Sequence, residues 1–227
     1  MLVRYWMTEG SMTLGEEQSV VSAAEVMRTQ GIRQFPVLHA DGRVVGIVSD
    51  RDIRDAMPSK YLPGGSVEEQ GRGLAELRIG SIMTEDPVCV GPDTAMDHVA
   101  SLLARLKVGG LPVVEKDGSL RGIITEVDVF RFLASATGLA RGGAQFAFRL
   151  EAKPGPLALL LDDLRSQNIH FSSVLTSHDM SQAGYRHAYI RVEHMGDHSL
   201  GSLVAYLSAE HDLLYYILDG EVTYLDD

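Results

Sequence analysis

The sequence twice places a hydroxyl side chain three residues before an aspartate. Ser49 precedes Asp52, and Thr125 precedes Asp128, each pair coming directly after a run of apolar residues. A carboxylate in this position can accept hydrogen bonds from a ligand that carries hydroxyl groups, and each such charge-assisted bond contributes about 1.5–3 kcal/mol. The same pattern also describes a helix start, in which the hydroxyl caps the helix and the acid lies in its first turn. The spacing alone leaves a ligand site and a helix cap both open.

Both pairs belong to an internal repeat. Asp52 and Asp128 are 76 positions apart, and the same shift aligns many other residues without a gap. Two copies that share one order and one spacing indicate a duplicated module. Recurrence of the hydroxyl–aspartate pair in both copies favours a ligand site at one of these pairs or at both. The other matched segments are Met7 to Glu9 with Met83 to Glu85, Pro36-Val37 with Pro112-Val113, Asp41-Gly42 with Asp117-Gly118, and Gly46-Ile47 with Gly122-Ile123.

Each copy is predicted to form a helix, a β-hairpin and a second helix. Apolar residues first recur at helical spacing, most clearly in Val99, Leu102, Leu103 and Leu106. A short apolar strand, an Asp-Gly turn and a second apolar strand follow, which is a strong hairpin signal. The hydroxyl residue then begins the second helix. A module of about 50 residues is small for a stable core, so we expect the two copies to pack together through their sheets.

The chain is predicted to hold three domains of mixed α+β (α/β) class. Proline, glycine and other small residues mark the boundaries between them. The expected division is 1–57 for the first module, 58–78 for a linker, 79–135 for the second module, 136–144 for a second linker and 145–227 for a C-terminal domain.

The end of each hairpin resembles the signature of the CBS domain: a glycine, two apolar residues, a serine or threonine, two variable residues and an aspartate. Gly46-Ile47-Val48-Ser49-Asp50-Arg51-Asp52 and Gly122-Ile123-Ile124-Thr125-Glu126-Val127-Asp128 both match it. The resemblance covers residues 1–135. It implies clefts between the two modules that bind an adenosyl ligand such as AMP, ADP, ATP or S-adenosylmethionine.

The resemblance also implies which residues hold the ligand. The aspartates would bind the ribose, the hydroxyls a ribose or phosphate oxygen, and the strand starts the adenine. Arg33, Arg51 and Arg54 are candidates to neutralise phosphates near the first copy. In the second copy, Gly109 and Val127 stand at the positions equivalent to Arg33 and Arg51. Because the clefts are composite, it stays open which strands serve which aspartate. The full set is Ile32, Arg33, Gln34, Phe35, Pro36, Ser49, Asp50, Arg51, Asp52, Asp86, Gly91, Val108, Gly109, Gly110, Leu111, Pro112, Thr125, Glu126 and Asp128.

The C-terminal third has a different pattern, which predicts a β-α-β-β-α-β order typical of the ferredoxin-like split βαβ arrangement. Strand-like alternation at Phe146, Phe148 and Leu150 is followed by a Pro-Gly-Pro turn and a helical leucine stripe. Strand, turn and helix together resemble the ACT domain. That resemblance implies an amino-acid effector, and the residues where it would bind are Lys153, Gly155, Asn168 and Ile169.

A CBS pair followed by an ACT domain resembles the acetoin-utilisation regulatory proteins of the AcuB type. The resemblance implies a non-catalytic regulatory protein that senses an adenine nucleotide and relays this to the ACT domain or to an unknown target protein, with acetoin or acetate metabolism as the expected setting. The alternative is an oligomerisation or interaction scaffold with vestigial clefts. CBS pairs and ACT domains both tend to self-associate, so a homodimer is expected.

Composition and motifs argue against several other classes of protein. A net charge of −11 lacks the basic footprint of a nucleic-acid-binding protein. The apolar surroundings of Cys89 favour an inert thiol in a reducing compartment. No apolar run has the length of a signal peptide core or a membrane span, so a cytoplasmic protein without a membrane partner is expected. His194 and His198 are interpreted as turn residues rather than metal ligands, and no enzyme motif is present. We therefore expect no catalytic residues, no metal and no required cofactor.

Overall fold

The computed structural model describes residues 1–56, 76–178 and 182–225. The chain divides into two compact units, residues 1–132 and 133–227. The first unit contains both copies of the repeat, and the second contains the C-terminal pattern. Of the predicted linker 58–78, only residues 76–78 lie within the described residues.

Both copies in the first unit contain the predicted helix, hairpin and second helix. The elements are β1 (Thr8–Glu9), β2 (Leu14–Gly15), α1 (Val20–Gln30), β3 (Gln34–Leu38), β4 (Val44–Ser49), α2 (Asp50–Ala56), β5 (Thr84–Glu85), α3 (Met96–Leu106), β6 (Gly110–Val114), β7 (Leu120–Thr125) and α4 (Glu126–Ala136). The prediction of helix–hairpin–helix modules is confirmed. The last of these helices, α4, extends past the boundary between the two units.

Local sequence explains these elements. Ser19 caps α1 by accepting a hydrogen bond from the backbone of Val21 at 3.2 Å, and the helix ends at Gly31 in the left-handed conformation. Each hairpin turns at the glycine of its Asp-Gly pair, Gly42 or Gly118, and both have positive φ angles of 87° and 84°. Such angles favour glycine, because a Cβ atom would be strained there.

The short segment that opens each copy belongs structurally to the other copy. Strand β1 pairs antiparallel with β7 of the second copy, and β5 pairs antiparallel with β4 of the first. The sheets accordingly have the orders β2-β3-β4-β5 and β1-β7-β6. Val3 is fully buried in the core of the second copy, and Ile79 is fully buried in the core of the first. Neither copy completes its sheet or its core alone.

This exchange of opening strands accounts for the glycine with which each signature begins. At Gly122, a Cβ atom would overlap the carbonyl oxygen of Thr8 in the exchanged strand β1. At Gly46, it would overlap the side chain of Met83, which precedes β5. The close approach of the exchanged backbone therefore requires glycine at position 122, whereas at position 46 the flexible side chain of Met83 fills the space that a Cβ atom would need.

We predict that Gly122→Ala destabilises the protein by about 1–3 kcal/mol, because the new methyl group meets backbone that cannot rotate away. Gly15→Ala is the matched control, since a Cβ there meets nothing within 4 Å. Thermal unfolding of both variants measures the difference. Equal melting temperatures would show that β1 does not lie against Gly122.

The second unit has the predicted β-α-β-β-α-β order with one further strand. The elements are β8 (Ala144–Glu151), α5 (Pro156–Ser166), β9 (His170–His178), β10 (Tyr185–His194), α6 (Leu200–Glu210), β11 (Leu213–Leu218) and β12 (Glu221–Tyr224). The strands form one sheet in the order β12-β11-β8-β10-β9, in which all neighbours run antiparallel. Helices α5 and α6 contribute Leu160, Leu164, Leu203 and Leu207 to the core. The terminal strand β12 was not predicted.

Residues 136–144, which the sequence predicts as a linker, lie inside the second unit and are bound to its sheet. Arg191 of β10 is only 7% exposed, and its Nε donates a hydrogen bond to the Thr137 carbonyl at 2.9 Å. Ser173 of β9 donates to the same oxygen at 2.9 Å. At Gly143, a Cβ atom would overlap the carbonyl of Val192. The absence of a side chain at Gly138 and Gly143 therefore allows this segment to pack closely against the sheet.

A polar cluster joins the two helices of the second unit. Asp163 of α5 accepts hydrogen bonds from the Tyr206 hydroxyl at 2.6 Å and from His211 Nε2 at 2.7 Å. Burial opposes the ionisation of Asp163, but these hydrogen bonds outweigh it, so the pKa of the carboxyl lies below its usual value. The hydrogen bond to Asp163, burial and nearby negative charge raise the pKa of Tyr206 to about 12.

We predict that Tyr206→Phe lowers the stability of the second unit by about 1 kcal/mol at neutral pH. Because the pKa of Tyr206 is raised in the folded protein, its contribution is complete below the ordinary tyrosine pKa of 10.0 and is lost as the pH rises towards 12. Ultraviolet titration of tyrosinate, compared between wild type and variant, should show that the missing group titrates near pH 12. A missing group that titrates near pH 10 would contradict the hydrogen bond.

Within the described ranges, no helix combines the length and apolar character needed to cross a membrane.

Candidate functional site

The two hydroxyl–aspartate pairs have the same geometry. Asp52 Oδ2 accepts hydrogen bonds from the Ser49 amide at 2.7 Å and from the Ser49 hydroxyl at 2.6 Å. Asp128 Oδ2 accepts the equivalent bonds from Thr125 at 2.9 Å and 2.7 Å. These contacts resemble a capping box, in which an acid in the first turn binds back to the residue that starts the helix. One oxygen of each aspartate therefore caps its helix, and a ligand would have to use the other.

The second carboxylate oxygens differ between the copies. Asp128 Oδ1 accepts a hydrogen bond from Arg131 Nη1 at 3.2 Å, and Asp128 is only 2% exposed. Asp52 is half-buried, and its Oδ1 accepts no hydrogen bond from the described part of the chain. Asp55 occupies the position equivalent to Arg131, so the first copy has a like charge there instead of a partner. Within the part of the chain that the structure describes, both oxygens of Asp128 are therefore hydrogen-bonded, whereas Oδ1 of Asp52 is not.

The strand starts lie beside these pairs. The Asp50 amide donates a hydrogen bond to the Arg33 carbonyl at 2.9 Å, and Gln34 pairs with Ser49 across the hairpin. In the second copy, the Glu126 amide donates to the Gly109 carbonyl at 3.0 Å, and Gly110 pairs with Thr125. The structure thus brings predicted residues 33–34 and 49–52 together in one copy, and residues 109–110 and 125–128 in the other.

A side chain of the first copy lies over the strand start of the second. A Cβ atom built on Gly109 would lie 2.6 Å from Gln34 Nε2, and one built on Gly110 would lie 2.9 Å from Gln34 Oε1. The amide of Gln34 therefore occupies the space that side chains at these glycines would need. Position 110 is the counterpart of Gln34 in the repeat, so glycine there places no side chain on the first copy in return.

Several predicted ligand residues form the cores instead. Phe35 is fully buried and Leu111 is 2% exposed, while Pro36 and Pro112 are also buried. The side chains of Phe35 and Leu111 belong to the hydrophobic cores of the first and the second copy, respectively. Ile32 and Val108 are half-buried and pack against the same cores, one in each copy.

The remaining predicted residues of the first unit are more scattered. Arg33 and Arg51 are exposed and form no ion pair in the described part of the chain, whereas Arg54 pairs with Asp50 at 3.2 Å. The Asp86 amide donates to the Val45 carbonyl at 3.1 Å, and the Gly91 amide donates to the Thr94 hydroxyl at 3.1 Å. No hydrogen bond among the described residues connects Asp86 or Gly91 with either hydroxyl–aspartate pair.

The predicted effector residues of the second unit do not form one site. Lys153, which forms an ion pair with Glu151, and Gly155 lie before α5. Asn168 and Ile169 lie beyond its other end, about 16 Å away along the helix. Ile169 is 2% exposed and belongs to the core. Helix α5 therefore separates Lys153 and Gly155 from Asn168 and Ile169.

Sequence reasoning missed two features of the site, and both carry a signal in the repeat. Arg131 lies three residues after Asp128, a spacing at which opposite charges meet on a helix. In the repeat, Gln34 aligns with Gly110, so a long side chain in the first copy corresponds to a position without a side chain in the second. Comparing the copies position by position would have marked both as differences.

The structure also describes the surroundings of the single cysteine and the arrangement of possible metal ligands. Burial raises the pKa of the Cys89 thiol, whose Sγ lies 3.3 Å from the Pro87 carbonyl. Among the residues that the structure describes, no group of three or more histidine, cysteine, aspartate or glutamate side chains is arranged to hold a metal ion.

Comparison with known proteins agrees with the fold of the first unit. A family model for the CBS domain matches residues 3–59 and again residues 79–135, which together make up half of the chain. The chain belongs to the CBS-domain family. The two copies of the repeat are its CBS domains, and together they form a CBS pair. Residues 136–227 lie outside this match.

Similar proteins differ widely in size. A CBS domain-containing protein of Dictyostelium discoideum is 32% identical over 132 residues, which are 58% of this chain and 90% of that protein. The inosine-5'-monophosphate dehydrogenase of Korarchaeum cryptofilum is 36% identical over 119 residues, which are 52% of this chain but 21% of the enzyme. A solved structure of a proposed acetoin utilization protein (AcuB) from Vibrio cholerae has a TM-score of 0.51 and 28% identity, and the likeness covers 62% of this chain and 95% of that one.

We predict that Gly109→Ala and Gln34→Ala are coupled. Alone, Gly109→Ala should destabilise the CBS pair by about 0.5–1.5 kcal/mol, because its methyl group displaces the Gln34 amide. In the Gln34→Ala background the same change should cost little, and a double-mutant cycle by chemical denaturation measures the coupling. Additive effects would contradict contact between Gln34 and Gly109.

Proposed function

We propose that the CBS pair binds an adenosyl ligand, among AMP, ADP, ATP and S-adenosylmethionine, and that the protein is a non-catalytic regulator. The single observation that supports this most directly is the state of Asp52. One of its oxygens is held by Ser49, and the other accepts no hydrogen bond from residues 1–56, 76–178 or 182–225. A carboxylate fixed in this way is already oriented to accept hydrogen bonds from the two hydroxyls of a ribose, so binding costs little reorganisation.

In this proposal, the effect of ligand binding is transmitted through contacts at the starts of strands β3 and β6. Gln34 is the hairpin partner of Ser49, and its amide lies against Gly109. The Gly109 carbonyl accepts the hydrogen bond of Glu126, the first residue of α4. Directly after α4, the Thr137 carbonyl is bound by Arg191 in the sheet of the second unit. A ligand that binds more tightly to one arrangement of these contacts shifts the population of that arrangement.

The finer parts of the proposal follow from the family resemblances. The second unit acts as an ACT domain, with an amino-acid effector near Lys153 and Gly155 in the turn before α5. The chain works in the cytoplasm as a homodimer, because CBS pairs and ACT domains tend to self-associate. The likeness to the Vibrio cholerae protein makes acetoin or acetate metabolism the first place to look for the regulated target protein.

A scaffold function is the second candidate, and one observation favours it. Both oxygens of Asp128 are used within the protein, so capping and ion pairing explain this residue completely. If the same held for the site as a whole, the CBS pair would serve only to assemble or connect proteins.

We predict that isothermal titration calorimetry detects binding of at least one of the four adenosyl ligands. In the Asp52→Ala/Asp128→Ala variant, the affinity should fall about 10–100-fold, the value of one or two charged hydrogen bonds. The control is Asp41→Ala/Asp117→Ala, which removes the same charge from the two exposed hairpin turns and should leave the affinity unchanged. Wild-type protein without measurable affinity for any of the four ligands would leave only the scaffold function.

A further inference from the structure

We infer that each chain binds a single adenosine phosphate, that Asp52 of the first CBS domain holds it, and that the equivalent position in the second CBS domain is closed. This inference rests on the proposed function, because it asks which half of the CBS pair carries the ligand and which class of ligand fits there. Three differences between the copies support it.

The first difference is whether the aspartate has a carboxylate oxygen available to accept hydrogen bonds from a ribose. Asp128 has given Oδ2 to Thr125 and Oδ1 to Arg131, and with 2% exposure it has almost no contact with solvent. A ribose would have to displace Arg131 and uncover the carboxylate before it could bind. Asp52 requires neither step, since no residue of the described ranges donates a hydrogen bond to its Oδ1 and the residue is half-buried. The ribose therefore belongs to the first copy.

The second difference is steric. The Gln34 amide covers Gly109 and Gly110, which lie beside Thr125 and the start of α4. An adenine placed on the strand start of the second copy would compete with this side chain for the same space. The first copy has no such cover from position 110, because that position is a glycine.

The third difference is charge, and it indicates the class of ligand. Arg33 and Arg51 are exposed beside the first pair and form no ion pair in the described residues. The second copy has Gly109 and Val127 at these positions. Unpaired guanidinium groups favour phosphate oxygens, which they bind through charge-assisted hydrogen bonds. They disfavour the positively charged sulfonium of S-adenosylmethionine. The geometry and charge together fit AMP, ADP or ATP.

Two isosteric variants form a matched test. Asp52→Asn and Asp128→Asn each weaken one helix cap, so both should lower the melting temperature. Only Asp52→Asn should affect binding: calorimetry with AMP should show at least a tenfold weaker affinity for Asp52→Asn and a change of less than about twofold for Asp128→Asn. The wild type should bind one AMP per chain, as counted by native mass spectrometry and by calorimetric stoichiometry.

A surface variant keeps the test decisive if Asp52→Asn does not fold. Arg51→Ala changes an exposed side chain, so the fold should remain intact. It should weaken AMP binding several-fold and leave adenosine binding unchanged, because adenosine has no phosphate. Equal effects on both ligands, or no effect on either, would overturn the assignment of phosphates to this face.

The outcomes separate this inference from the proposed function. If wild-type protein binds no adenosyl ligand, the proposed function fails, and the inference fails with it. If it binds two AMP molecules per chain, if Asp128→Asn weakens binding as much as Asp52→Asn, or if S-adenosylmethionine binds more tightly than AMP, the inference is overturned while adenosyl binding stands.

Discussion

The hydrogen bonds between each hydroxyl residue and the aspartate three positions later fix the geometry of the candidate site in the CBS pair. They tie the end of a strand to the first turn of a helix and consume one oxygen of each carboxylate. A side chain fixed in this way has no rotamer freedom left to lose when a ligand arrives. The second oxygen then distinguishes the two aspartates: Arg131 binds it in Asp128, whereas none of the described residues donates a hydrogen bond to it in Asp52.

The exchange of leading segments explains why the two copies stay together although they differ. Each CBS domain needs the opening strand of the other to complete its sheet, and Val3 and Ile79 are buried in the opposite cores. The second copy is therefore required for folding whether or not it binds a ligand. With folding secured by this exchange, changes such as Arg131 or Gly110 could close one cleft without loss of the fold.

Local patterns predicted much of this architecture. The repeat, the Asp-Gly hairpins and the β-α-β-β-α-β order depend on short-range spacing, which a single sequence displays directly. The partner of β1 could not be predicted, because pairing with β7 depends on contacts more than a hundred residues away. Residues 136–144 have the composition of a linker, yet their glycines allow the backbone to approach the sheet closely. A composition rich in glycine and other small residues therefore does not distinguish a flexible linker from a segment that packs closely against a sheet.

A crystal structure of the full chain grown with AMP tests the central claim most directly. The account predicts one AMP per chain, with both ribose hydroxyls within about 3 Å of Asp52 and with Ser49 still bonded to the same carboxylate. The Gln34 amide should remain over Gly109, and Asp128 should keep Arg131. AMP bound through Asp128, or seated away from both aspartates, would contradict the account.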